Sequence, residues 1–372
     1  MVPRKEEAGV VKLYFDREGK LYPPDVRINP HYFYLEHLHK KSLSRYRNPE
    51  YATLETALTK YDSISREAMR QQFNLTGVDS IRLFLRLQEA VRKNIISEIE
   101  QKIKEKNSKD LIVLIHGFND PIPDAAYYSL RKNIEKYLHY TPVFIEVYWD
   151  GLTALGDNPL FSNIWGYAQS NSAKVGLGLR NILNKINPNI RLTLLTHSLG
   201  ASVATHALFN PGKWPKKFQE ELEQEYHAEN IPTPKQKDIR IAMLAPAIPG
   251  IKVFDHIDYT IPENTIPTIT RVVIGYNHFD YAVTKGGLFA SNFGSTALGA
   301  NAKNEVNKTI IAINEINPKI KVVPVDFSLY IKNDSLNNKK LQRKSPFKQR
   351  EHGVQFYVQN QHFSEFLKAM FD

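Results

Sequence analysis

Two hydrophobic periodicities divide the chain near residue 110. Before it, apolar residues at Phe84, Leu87, Val91, Ile95, Ile99 and Ile103 recur every three or four positions, which is the spacing of one buried stripe on a helix. This predicts a helix from about Ser80 to Lys106 packed on a sheet, with an extended opening segment, VVKLYF, from residue 10. After residue 110 the pattern changes to short continuous apolar runs: LIVLIHGF (111–118), VFIEVYW (143–149), RLTLLTHS (191–198), IRIAMLAPA (239–247) and TRVVIGY (270–276), with KVVPVDFS (321–328) a weaker sixth. Runs of this kind are strands covered on both faces by helices. Residues 122–139, 165–185 and 199–209 are long enough for crossover helices, so strand and helix alternate. The fold class expected is α/β, a doubly wound and mostly parallel sheet.

The same pattern sets the organisation. Residues 1–110 form an N-terminal extension, largely helical, that packs on the core, and residues 111–372 form the α/β domain. Two inserts interrupt the alternation: a polar, Pro/Glu/Lys-rich stretch near 210–238 and a Gly/Ala/Asn-rich stretch near 285–304. Both follow strand ends, where open α/β sheets place their sites, so they are candidate rim or lid elements as well as ordinary solvated loops. No internal repeat or low-complexity segment occurs.

Composition narrows the functional classes. Hydrophobic residues make up 42% and charged residues 24% of the 372 positions, as in an ordinary globular protein with a substantial core. No run reaches the roughly 18 apolar residues of a membrane-spanning helix, and MVPRKEEAGVVKLYF lacks a signal-peptide core. The expectation is a soluble protein, either of a bacterial cytoplasm or exported with its signal removed. With no cysteine there are no disulfides, thiol nucleophiles or thiolate metal sites, and the Asn-x-Ser/Thr triplets at Asn74, Asn307 and Asn333 do not decide the compartment. The net charge of +10 favours approach to anionic surfaces or substrates, so peripheral contact with an anionic membrane is a candidate partner reading beside a generally basic surface. Its densest cluster, Lys339, Lys340, Arg343, Lys344, Lys348 and Arg350, lies in an Asn- and Pro-bearing loop and not in an element that reads nucleic acid.

The chemistry-bearing signal is Thr196-His197-Ser198-Leu199-Gly200. A serine follows an apolar strand and precedes a small-residue helix start, Ala201-Ser202-Val203-Ala204, the context of a nucleophile elbow. Such a turn pushes the hydroxyl out of the sheet and crowds the positions two residues either side, here Thr196 and Gly200. Thr196 departs from the usual glycine. A helix start after Ser198 also favours developing negative charge. Upstream, Ile115-His116-Gly117-Phe118-Asn119-Asp120 ends the first strong strand. Gly117 lets the backbone turn closely, so that the N–H of Phe118 pairs with that of Leu199 as an oxyanion hole; His116 is read as a residue bracing this loop.

Together HGFND and THSLGA resemble the α/β-hydrolase superfamily, in particular bacterial serine hydrolases of uncharacterised function with an HG-aromatic-Asn loop and an (A/T)HS(M/L)G elbow, and more distantly lipases. The resemblance covers about residues 110–372. It implies a Ser-Asp-His triad in that chain order. Asp280, just past TRVVIGY, and His352, ahead of a helix-like segment ending in EFLKAMF, occupy the implied positions. Asp326, Asp255, Asp258 and Asp150 are rivals for the acid, and His362 and His278 for the base. In the implied roles His352 moves the Ser198 proton while Asp280 fixes its tautomer.

The remaining motifs are weak. Gly176-Leu177-Gly178 lacks the third glycine of a dinucleotide loop, and no Walker lysine, His-Glu-x-x-His pair or calcium loop occurs, so neither cofactor nor metal is expected. Tyr148, Trp149, Trp165 and Tyr167 are candidates to line an acyl pocket or to fill the core. The function expected is hydrolysis of a carboxylic ester, small-molecule or lipid, by an esterase or lipase acting through an acyl-enzyme. The competing reading is a catalytically inactive protein that keeps the fold as a binding or scaffold module.

Overall fold

The computed structural model describes residues 9–15, 19–22, 77–118, 123–149, 161–209, 231–257, 268–284, 297–328 and 352–372. Most of the two inserts, at 210–230 and 285–296, lies outside them, as do residues 23–76.

Eight strands form one sheet: β1 (Val10–Phe15), β2 (Leu21–Tyr22), β3 (Asp110–Ile115), β4 (Val143–Trp149), β5 (Arg191–His197), β6 (Ile239–Leu244), β7 (Ile269–Tyr276) and β8 (Lys321–Asp326). Their order is β2-β1-β4-β3-β5-β6-β7-β8. Every neighbouring pair is parallel except β1 with β2. The six apolar runs after residue 110 are strands β3 to β8, and the opening segment supplies a seventh parallel strand. Val11, Leu13 and Phe15 are buried while Val10, Lys12 and Tyr14 are half-buried, the alternation of a strand near a sheet edge. Residues 10–15 and 21–22 are thus built into the sheet itself.

The helices are α1 (Gly77–Lys106), α2 (Asp124–Leu138), α3 (Phe161–Leu183), α4 (Gly200–Leu208), α5 (Gly250–Phe254), α6 (Tyr281–Thr284), α7 (Glu305–Ile316), α8 (Val354–Gln359) and α9 (Phe363–Phe371). They cover both faces. Leu111, Val113 and Ile115 of β3 share a core with α1, α3, α4 and α7, whereas Ile112 and Leu114 share the opposite core with α2, α8 and α9. This explains why the central strands read as unbroken apolar runs: neither face meets water. On α1 the stripe Val91, Ile95, Ile99 and Ile103 is buried, while the side chains of Phe84 and Leu87 lie outside the described residues. Among the described residues, no helix is long and apolar enough to cross a membrane.

Close packing absorbs the glycine pair of α3. A side-chain carbon at Gly176 would sit 2.5 Å from Cβ of His206 on α4, and one at Gly178 would sit 2.5 Å from the carbonyl oxygen of Gly19. The pair lets α3 lie between α4 and the β1–β2 turn. The strand order reverses between β3 and β5, and open α/β sheets form their sites outside the carboxyl ends of the strands at such a point.

Candidate active site

Ser198 follows the last residue of β5 with φ of 54°, a left-handed conformation that costs a non-glycine residue about 1 kcal/mol or more. Its surroundings enforce it. The Ser198 N–H donates to the Leu244 carbonyl at 2.9 Å, and the Ser198 carbonyl accepts from Ala247 at 3.1 Å and Ala201 at 3.2 Å. The turn also sits hard against the loop after β3. A side-chain carbon at Gly200 would lie 2.5 Å and 2.6 Å from the carbonyl oxygens of Ile115 and His116, and one at Gly117 would lie 2.6 Å from Cβ of Ser198. The crowding expected at both flanks acts at Gly200 alone. Thr196 fits, buried, with its hydroxyl unpartnered among the described residues.

The loop after β3 is braced through His116. Its Nε2 accepts the Trp149 N–H at 3.2 Å, which leaves the proton on Nδ1, 2.9 Å from the Gly117 carbonyl. The Trp149 indole N–H donates to the His116 carbonyl at 2.9 Å, and the His116 N–H donates to the Tyr127 hydroxyl at 3.0 Å. That hydroxyl in turn bonds the Val147 carbonyl. With both ring nitrogens engaged, His116 is occupied in holding Gly117 against the elbow. Phe118 follows, its ring edge-on to Trp165 at 5.0 Å. Leu199 stands directly before α4, where the first N–H groups of a helix have no intrahelical acceptor.

Asp280 and His352, 72 positions apart in the chain, meet: Nδ1 of His352 lies 2.7 Å from Oδ2 of Asp280. Asp280 is fully buried, and the His352 side chain keeps 16% exposure. The carboxylate starts α6, its Oδ1 accepting the N–H groups of Ala282 at 3.0 Å and Val283 at 3.4 Å. A further donor, the hydroxyl of Tyr357, reaches Oδ2 at 2.6 Å.

His197 ties this pair to the elbow. Its Nε2–H donates to the main-chain carbonyl of His352 at 2.6 Å, and the two rings lie 4.7 Å apart. Because His197 immediately precedes Ser198, this bond ties the main chain at His352 to the turn that bears the serine. Burial, with the neighbouring His352 second, pushes the His197 imidazole down to about 3. Burial and then the Asp280 charge push the Tyr357 hydroxyl well up. Neither residue carries a net charge near neutral pH. Sequence reasoning gave neither a role: His197 is visible inside THSLG, while nothing in the sequence marks a tyrosine five positions after His352.

Residues 91–270 match the model of a family described as "Alpha/beta hydrolase of unknown function (DUF900)". The fold is that of the α/β-hydrolase superfamily. Among solved structures, the crystal structure of a metagenomic carboxyl esterase aligns at 12% identity, covering 68% of this chain and 76% of that chain, with a TM-score of 0.25. Likeness at that level carries no argument about chemistry. A search of curated proteins finds no match.

The rival residues stand elsewhere in the chain. His362 is half-buried and faces Glu365 at 3.2 Å. His278 is exposed, edge-on to Tyr276. Asp326 accepts the Ser328 N–H at 2.8 Å, and Asp255 is exposed. Asp150, Asp258, Asn119 and Asp120 lie outside the described residues, as does the side chain of Tyr167. Of the aromatics, Tyr148 stacks on Tyr14 at 4.8 Å within the second core, Trp149 stacks on His116, and Trp165 packs on Phe118. Among the described residues no group of three or more His, Asp or Glu is placed to hold a metal ion.

Proposed function

We propose that this hydrolase cleaves carboxylic esters, of small molecules or lipids, through Ser198 as nucleophile, His352 as base and Asp280 as acid. The observation that carries the reading is the Asp280–His352 hydrogen bond, tethered through His197 to the strained turn of Ser198. With Nδ1–H donated to Asp280, Nε2 of His352 is left as the proton acceptor. It takes the Ser198 proton as Oγ attacks the ester carbonyl, and the N–H groups of Phe118 and Leu199 receive the oxyanion. Collapse of the tetrahedral adduct breaks the bond to the alkoxy group, which leaves as the alcohol with the proton from His352. Water, deprotonated by the same imidazole, then attacks the acyl-enzyme and releases the carboxylic acid.

Wild-type protein is expected to react with a fluorophosphonate probe and to hydrolyse p-nitrophenyl esters. Ser198→Ala is expected to lose the labelling and to lower kcat by about a thousandfold or more. Failure of the folded wild type to label would sink the reading and favour a binding module that keeps the fold. A series of acyl chain lengths separates the substrate classes: a short-chain optimum marks an esterase, a long-chain optimum with interfacial activation a lipase.

A further inference from the structure

The two donors on Oδ2 of Asp280 come from one short segment. His352 supplies Nδ1–H at 2.7 Å and Tyr357, five positions later on α8, supplies its hydroxyl at 2.6 Å. We propose that Tyr357 is a positioning residue that competes with His352 for the shared oxygen of Asp280 and so sets how strongly the carboxylate stabilises the imidazolium. This rests on reading Asp280 and His352 as acid and base.

The tyrosine is built for one orientation. Its side chain is fully buried, with Phe327 and Phe356 edge-on at 5.2 Å each and the His197 ring at 6.1 Å. A hydroxyl fixed this way donates to Oδ2 whatever the protonation of His352. A hydrogen bond to an ionised acceptor is among the stronger ones in a protein interior, and it draws electron density from the oxygen that faces the imidazole. The carboxylate is therefore a weaker partner for the imidazolium than it would be with Oδ2 given to His352 alone. The ionisable groups around His352 come from separate elements: Asp280 from the loop after β7, Tyr357 from α8 and His197 from the end of β5, with His116 from the end of β3 behind His197. His197 is neutral above about pH 3, so among these groups the charge facing His352 is that of Asp280.

The test is the pH profile of kcat/KM for a p-nitrophenyl ester, with fluorophosphonate labelling of Ser198 at pH 8 measured on the same samples. Tyr357→Phe removes the hydroxyl and keeps the ring. The imidazolium is then held more strongly, so the midpoint of the acid limb moves to higher pH by about 0.5 to 1 unit, with the plateau rate within about threefold. Incorporating 3,5-difluorotyrosine at position 357, a stronger donor of nearly the same shape, moves the midpoint the other way. Opposite shifts support the proposal, since a merely structural role moves neither midpoint. Unmoved midpoints in proteins whose Ser198 still labels overturn it and leave the hydrolase reading intact. Absence of labelling in the wild type overturns both. Should Tyr357→Phe fail to fold, the fluorinated protein decides alone: a downward shift supports the proposal, and an unmoved limb overturns it.

Discussion

Ser198 sits in a left-handed turn that favours glycine over any residue with a Cβ, and the proposed nucleophile must nevertheless be a side chain. The conflict predicts a trade between stability and activity. Ser198→Gly is expected to raise stability by about 1 kcal/mol, read as a higher urea midpoint at unchanged m-value, while abolishing probe labelling. A lowered midpoint would mean that the serine side chain contributes more to the fold than its backbone costs. The sequence shows where Ser198, Gly117 and Gly200 stand, because the elbow and the His-Gly loop are local patterns. It does not show that Gly117 and Gly200 are needed for the same contact. Their absent side chains make room for one junction, in which the loop after β3 touches Cβ of Ser198 and the turn after β5 touches the carbonyls of Ile115 and His116.

At the scale of elements, β5 and α4 carry the elbow between them and each holds a buried histidine. His197 closes β5. His206 lies in the last turn of α4, with Nδ1 2.7 Å from the Ser202 carbonyl. The guanidinium of Arg180, fully buried, donates to the carbonyls of His206 at 2.6 Å and Phe209 at 3.0 Å, capping the end of the helix whose start bears the serine. Burial lowers His197 from 6.5 to about 3 and His206 from 6.5 to about 4. Below pH 6.5 the unfolded chain therefore binds protons that the folded one refuses. The stabilisation is complete above pH 6.5 and is lost as pH falls toward 4 and 3, at about 1.4 kcal/mol per pH unit for each histidine. Urea unfolding between pH 7 and 4.5 is expected to show this slope, and His206→Gln to flatten it by about half. A slope unaffected by that change would place the acid sensitivity elsewhere. Helical and strand segments here were legible in the sequence, α3 and α4 to within a few residues. The reason for Gly176-x-Gly178 was not, since it lies in what α3 meets on its two sides.

At the scale of the whole molecule, β1 is the element that the periodicity split hides. It pairs in parallel with β4 from Val10 opposite Phe144 to Phe15 opposite Trp149, and its buried side chains join the core beneath α1 and α3. Removing residues 1–22 would leave β4 as an unpaired edge beside exposed apolar surface, a template for aggregation. The truncated protein is expected to melt at lower temperature and to scatter light on concentration; a monomer of unchanged melting temperature on size-exclusion would show β1 to be dispensable. By itself the sequence determined the parallel α/β layering, the crossover helices and the identity of the serine turn, because these follow from side-chain periodicity and local backbone requirements. Tertiary structure alone decided that Asp280 and not Asp326 meets His352, that His197 tethers that histidine to the elbow, and that Tyr357 shares its carboxylate oxygen. Those pairings join strand ends and helices 72 to 155 positions apart, and such a meeting is fixed by the order of strands in the sheet, which leaves no local mark on the chain.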